Sequence, residues 1–361
     1  MTDASASGEP AIPYLDLVRR TQRHAPVLEA GARRVLRSGR LLDGPEVAAF
    51  ENEWAQACDR ARAVAVGSGT DALRLALLGL GIGAGNEVIM PAFTAIPTAA
   101  AVCATGAIPV FADVERETAT LDPESARAAL TPRTAAVVIV HLYGRPAPLP
   151  RLGVPVIEDC AHAHGMRSDE RGVAAAYSFY PTKNLGGIGD GGAVVTDDLE
   201  LAERVVRLRS HGRGGDGLHR DVATNSRMSE IEAAALVAMM PELAADNGRR
   251  RLIAGRYREA APELGWQASH PEHVHHLCVA RFADRDRLRS RFPFGTGIHY
   301  PRAIVDEPAY ARFERDPVPR AREWAASCVS MPCYPELTEA ELDAVVAGLQ
   351  GMAQARMNPS K

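Results

Sequence analysis

Between Arg62 and Leu208 the chain alternates short apolar runs with segments that read as helices. The runs Ala63–Val66, Val88–Met90, Pro109–Ala112, Ala135–Val140, Pro155–Glu158, Ala174–Phe179 and Ala193–Thr196 read as strands. Several are apolar on both faces, as strands covered by helices on both sides must be. Helices are expected over Asp71–Leu80, Thr94–Thr105, Pro123–Ala129 and Leu199–Ser210. This alternation predicts an α/β/α sandwich on a mostly parallel sheet. Ser229-Glu230-Ile231-Glu232 is a capping-box pattern that opens a long helix through Met240. Beyond it, short strands (Leu277–Arg281, Gly297–Tyr300) mix with a helix over Thr338–Ala353, the pattern of a smaller α+β domain. The expected division is a large domain over 26–240, a small domain over 241–361 joined by 11–25, and a loose tail over 1–10.

Composition narrows the class. The 361 residues are 46% hydrophobic and 24% charged, ordinary for a globular enzyme. A net charge of −4 gives no electrostatic footprint for nucleic acid or an anionic membrane. Arg249-Arg250-Arg251 reads as a solvated helix face and Met239-Met240 as core packing. Six scattered cysteines read as reduced thiols of a cytoplasmic protein, with Cys160 a packing residue. The first ten residues lack the basic and apolar stretches of a signal peptide. No apolar run approaches the roughly 20 residues of a membrane span. His273, His275 and His276 read as an ordinary strand, with the last two facing opposite ways, and no metal site is expected.

The candidate chemistry centres on Ser178-Phe179-Tyr180-Pro181-Thr182-Lys183-Asn184-Leu185-Gly186-Gly187-Ile188-Gly189-Asp190-Gly191-Gly192. Lys183 follows a hydroxyl residue by five positions and precedes a glycine-dense turn that does not fit the Walker pattern. Asp159 ends an apolar strand, where α/β folds bind ligands. Gly67-Ser68-Gly69-Thr70-Asp71-Ala72-Leu73 follows a strand and opens a helix, a ready phosphate site with free N–H groups. An amine, an acid and a phosphate cradle are what pyridoxal phosphate (PLP) requires: the amine for a Schiff base, the acid to keep the ring nitrogen protonated.

The sequence resembles the DegT/DnrJ/EryC1/StrS group of sugar aminotransferases from about Pro13 to Leu349. The likeness rests on these motifs together with Leu42-Asp43-Gly44-Pro45-Glu46-Val47, Pro91-Ala92-Phe93-Thr94, His141-Leu142-Tyr143-Gly144, Glu158-Asp159-Cys160-Ala161-His162-Ala163-His164-Gly165, Asn225-Ser226-Arg227-Met228 and Gly297-Ile298-His299-Tyr300-Pro301, all in order. The resemblance implies the fold of aspartate aminotransferase (PLP-dependent transferase fold type I) and a homodimer with shared active sites. It implies Lys183 as the Schiff-base lysine, Asp159 on the ring nitrogen and His162 near the ring hydroxyl. Gly69, Thr70 and Ser178 would hold the phosphate, and Asn225 would reach the phosphate in the partner subunit. His299 and Tyr300 would lie near the sugar.

Three departures stand out. Ala95 occupies a position where many relatives stack an aromatic on the ring. Ala223 replaces a glycine common before the Asn motif. The stretches Leu149–Pro155 and Met166–Val173 look short. The implied reaction moves an amino group from L-glutamate to a nucleotide-linked keto-deoxysugar, with thymidine diphosphate the default nucleotide and the motif wording leaning to C-3. An aminocyclitol transaminase of the same scaffold is the alternative. A sugar deoxygenase would carry histidine in place of Lys183, and a non-catalytic relative would not need the Asp159–Lys183 pair.

Overall fold

A computed structural model describes residues 12–168 and 170–357, with side chains through 352. The tail expected over 1–10 lies outside the described residues. In chain order the elements are α1 (Leu17–Ser38), α2 (Pro45–Ala57), β1 (Arg62–Val66), α3 (Gly69–Gly79), β2 (Glu87–Pro91), α4 (Ile96–Ala104), β3 (Ile108–Ala112), α5 (Pro123–Ala128), β4 (Thr134–Val140), β5 (Val156–Asp159), β6 (Ala174–Ser178), β7 (Gly192–Thr196), α6 (Leu199–Leu208) and α7 (Glu230–Met239). Then follow α8 (Leu243–Ala260), β8 (Gly265–Trp266), β9 (Cys278–Arg281), α9 (Arg285–Arg289), α10 (Pro319–Ser327), β10 (Cys328–Met331) and α11 (Glu339–Met357).

The seven apolar runs pair in the order β1-β7-β6-β5-β4-β2-β3. Four neighbouring pairs are parallel, and only β7 runs against its neighbours β1 and β6. The central strands are buried along their length, because helices cover both faces. Asp159, Ser178 and the turn after β1 therefore meet at one edge of the sheet, where the strands end. A three-stranded antiparallel sheet, β10-β9-β8, carries its own hydrophobic cluster with α8 and α11, and Ile12 packs into it.

Four expectations need correction. The capping box at Ser229 is only half made: Ser229 accepts the Glu232 N–H, but the Glu232 carboxylate accepts the Ile188 N–H instead of reaching back to Ser229, and a 3-10 turn over Met240–Glu242 separates α7 from α8. Gly297–Tyr300 is no strand; only Gly297 bridges to Ser330. His273–His276 is a turn rather than a strand, because His275 sits at φ +44°. The His273 and His275 rings stack at 3.7 Å, and all three histidines are buried. Arg250 does not belong to a solvated face: it is 5% exposed, while Arg249 pairs with Glu339 outside.

Candidate active site

Asp159 ends β5 almost fully buried. Its carboxylate accepts the Thr98 hydroxyl at 2.8 Å and the Ala161 N–H at 3.1 Å. Burial raises its pKa, and the Thr98 and Ala161 hydrogen bonds and the Lys183 charge oppose that rise. Lys183 lies in the turn after β6. Burial lowers its amine to about 8, partly offset by the carboxylate of Asp159. Neither group forms an ion pair among the described residues, so each keeps bonding capacity for a ligand.

Gly69 begins α3, whose cap Ser68 accepts the Asp71 N–H. A Cβ on Gly69 would lie 2.4 Å from the Ser178 Cβ, so only glycine lets this helix start meet β6. Ser226 ties the turn down from outside, accepting the Gly67 N–H at 3.0 Å and donating to Asp71 at 2.7 Å. The result is a cavity of about 330 Å3 that brings together Gly69, Thr70, Ala95, Asp159, His162, Ser178 and Lys183. His162 accepts the Tyr143 N–H at Nδ1, 3.2 Å away, and burial drives its pKa well below the usual range. Its ring is neutral, with Nε2–H left as donor. Ala95 contributes a methyl group at the start of α4.

His299 and Tyr300 line a second cavity of about 250 Å3, which shares His162, Tyr180 and Lys183 with the first. His299 bonds Ser330 through Nδ1 at 2.9 Å and stacks on Tyr14. Asn225 stays out of both cavities of its own chain. It is exposed and bridges Ser210 at the foot of an excursion over 210–225. His141, Glu158 and Cys160 come close enough to suggest an ion site. However, His141 accepts the Ala147 N–H at Nδ1 and so donates Nε2–H to Glu158, which leaves its ring no lone pair.

Several residues that shape the site carry no local signal for that role. Thr98 reaches Asp159 across 61 positions. Arg20 on α1 donates to the carbonyls of Pro181, Lys183 and Gly186 and so fixes the lysine turn. Glu232 accepts the Ile188 N–H at 3.1 Å, and a Cβ on Gly187 would fall 1.4 Å from its Oε1. Asn184, next to the lysine, bonds Asn247, the Val274 carbonyl and His276.

A profile of the DegT/DnrJ/EryC1/StrS aminotransferase family matches residues 27–350. The chain belongs to this family. It is 41% identical over 374 residues to the dTDP-3-amino-3,4,6-trideoxy-alpha-D-glucose transaminase of Streptomyces venezuelae, covering 97% of this chain and 98% of that protein. The solved structure of DesV from S. venezuelae superposes with a TM-score of 0.91 at 42% identity, over 96% of this chain and 99% of that one. NtdA from Bacillus subtilis, solved with bound cofactor PMP, superposes with a TM-score of 0.90 at 27% identity, over 96% of this chain and 86% of that one.

The aminotransferase is PLP-dependent, and the first cavity fits that cofactor. A buried carboxylate without a cationic partner suits a protonated ring nitrogen. The helix start with Thr70 and Ser178 suits a phosphate, and Lys183 supplies the amine. Bound there, PLP supplies a carbonyl for amine capture and a ring that accepts electron density.

Proposed function

We propose that this enzyme transfers the amino group of L-glutamate to the C-3 ketone of a dTDP-linked keto-deoxysugar. The observation that carries the reading is a single cavity lined by Lys183, Asp159 and the helix start of α3. The substrate assignment is supported by the name of the S. venezuelae relative. Lys183 is the base. With its amine lowered to about 8, it takes the proton from the donor's α-carbon and redelivers it to the carbon that receives the nitrogen. Asp159, oriented by Thr98, keeps the cofactor's ring nitrogen protonated. His162 offers Nε2–H to the ring hydroxyl, Gly69, Thr70 and Ser178 take the phosphate, and the Ala95 methyl lies against the ring. His299 and Tyr300 face the sugar.

The enzyme works as a homodimer in which Asn225 completes the partner's phosphate site. Supporting this, the excursion that carries Asn225 leaves Leu218 and Val222 largely exposed, apolar surface suited to a subunit contact. Each chain divides into a large domain over 26–240 and a small one over 241–361 with 11–25, a division supported by the separate cluster around β8–β10. The six unpaired cysteines support a cytoplasmic location.

The test is a visible spectrum of the purified holoenzyme before and after L-glutamate, followed by mass analysis of the product formed from a dTDP-3-keto-deoxysugar. Loss of the yellow band on adding L-glutamate, and an amino sugar in the second step, is the expected outcome. A band indifferent to L-glutamate would remove the donor assignment, and a C-4 product would remove the carbon.

A further inference from the structure

The second cavity holds a buried cation that the reaction as described leaves without a task. Arg250, on α8, lines this cavity together with Lys183. Its guanidinium donates to the carbonyls of Cys333 and His276, and its Nε has no partner. No carboxylate pairs with it among the described residues, although Arg249 beside it has Glu339. A buried charge without a counter-ion is costly unless a ligand supplies one.

The surroundings point the same way. No Asp or Glu lines the cavity. Its histidines cannot supply a second cation at neutral pH. Burial depresses His162 and His276 well below the usual range and His299 to about 4. The hydrogen bonds fix the His276 tautomer as well. Asn184 spends its amide N–H groups on Asn247 and Val274, so its Oδ1 must accept from His276 Nδ1. The cavity therefore offers a guanidinium, a lysine amine and neutral walls, which is a site for a small anion next to the reacting amine.

We infer that Arg250 binds a carboxylate of the amino donor in this second cavity, beside Lys183. The inference rests on the proposed L-glutamate half-reaction. It assigns to the donor a subsite separate from the phosphate cradle at Gly69, Thr70 and Ser178. The diphosphate of the sugar nucleotide is the other anion in the reaction, and the two half-reactions separate them.

The experiment compares wild-type and Arg250→Gln holoenzymes in each half-reaction by single-turnover spectra, and measures glutarate binding by calorimetry. In Arg250→Gln the L-glutamate half-reaction should lose about 100-fold in kcat/KM, the scale of removing one partner of a buried charge pair. The loss should fall mainly on KM. The half-reaction from the amino-sugar nucleotide should stay within about threefold, since no diphosphate contact is removed, and glutarate binding should disappear. Equal losses in both halves, a loss confined to the sugar half, or unchanged glutarate binding would each overturn the assignment. If Arg250→Gln does not fold, Arg250→Lys serves: it keeps the charge but loses the forked donor geometry, and should weaken glutarate binding while sparing the sugar half. Failure of the wild-type enzyme to respond to L-glutamate would instead sink the underlying reading, before any variant is made.

Discussion

Glu232 gives a prediction that can be worked through from the structure. It is 3% exposed and sits under the glycine-rich turn that follows Lys183. One carboxyl oxygen accepts the Ile188 N–H, and the other, Oε1, is buried with no partner. Burial raises its pKa from 4.5 to about 7, helped by Asp190, while the Ile188 and Gly189 N–H groups and Arg20 oppose the rise. The folded protein therefore holds this proton more tightly than the unfolded chain does. The corresponding stability is fully present below about pH 4.5 and is lost as pH rises through about 7. At about 1.4 kcal/mol per pH unit, the ionised carboxylate costs the fold about 3 kcal/mol in alkaline solution.

Glu232→Gln removes the ionisation and keeps an acceptor for Ile188. Its new NH2 takes the place of the unpartnered oxygen, which costs about 1 kcal/mol at any pH. Relative to wild type, the variant should be near neutral or slightly destabilised at pH 5 and more stable by about 2 kcal/mol at pH 8.5. Thermal unfolding of the holoenzyme at both pH values reads the difference. A shift of the same sign and size at pH 5 and pH 8.5 would refute the reasoning, because it would mean that Glu232 does not titrate between them.

Further outcomes test the site directly. Asp159→Asn should lower kcat by about 100-fold or more, with cofactor still bound, because a preorganised charge is lost while the shape remains; single-turnover spectra with L-glutamate check it. Gly69→Ala drives a Cβ to 2.4 Å from Ser178, so the helix start must shift, and cofactor titration should show at least about a tenfold loss of affinity. Lys183→Ala should abolish turnover while circular dichroism remains that of the wild type. Full activity in that variant would end the account of the base.

Much of the large sheet was legible because its strands are apolar on both faces, a pattern that local sequence carries without help. The gathering of the candidate site at the strand ends was legible for a related reason: Asp159, Lys183 and the Gly67–Leu73 turn sit at fixed places relative to those strands. The two opening helices were not. α1 buries only His24, Gly31 and Val35, and Pro26, which locally reads as a helix breaker, lies inside it. α2 starts at Gly44 with no cap of its own. Its first N–H groups bond instead to Glu230, which accepts those of Gly44, Glu46 and Val47 from a distant part of the chain. The Ser229 cap of α7 and the cap for α2 thus come from neighbouring residues, and only the first can be read locally.

The same logic explains why Arg250 was misread and why Arg20 carried no local sign of its role. Arg20 and Arg250 lie among residues that any local reading assigns to solvent, such as Arg19, Arg249 and Arg251. Helical geometry turns successive side chains about 100° apart, so a run of arginines must place some of them on another face. Whether that face is buried depends on what packs there. For Arg20 it is the lysine turn, whose three carbonyls need a donor once the chain folds back over Gly186. For Arg250 it is the histidine turn and Cys333, brought in from 26 and 83 positions away. The residues proposed to act on the cofactor announce themselves by spacing. The residues that aim them, and the one assigned here to the donor, are set by contacts between distant segments. The site can therefore be recognised from its motifs, while its donor selectivity has to be sought in the packing around Lys183.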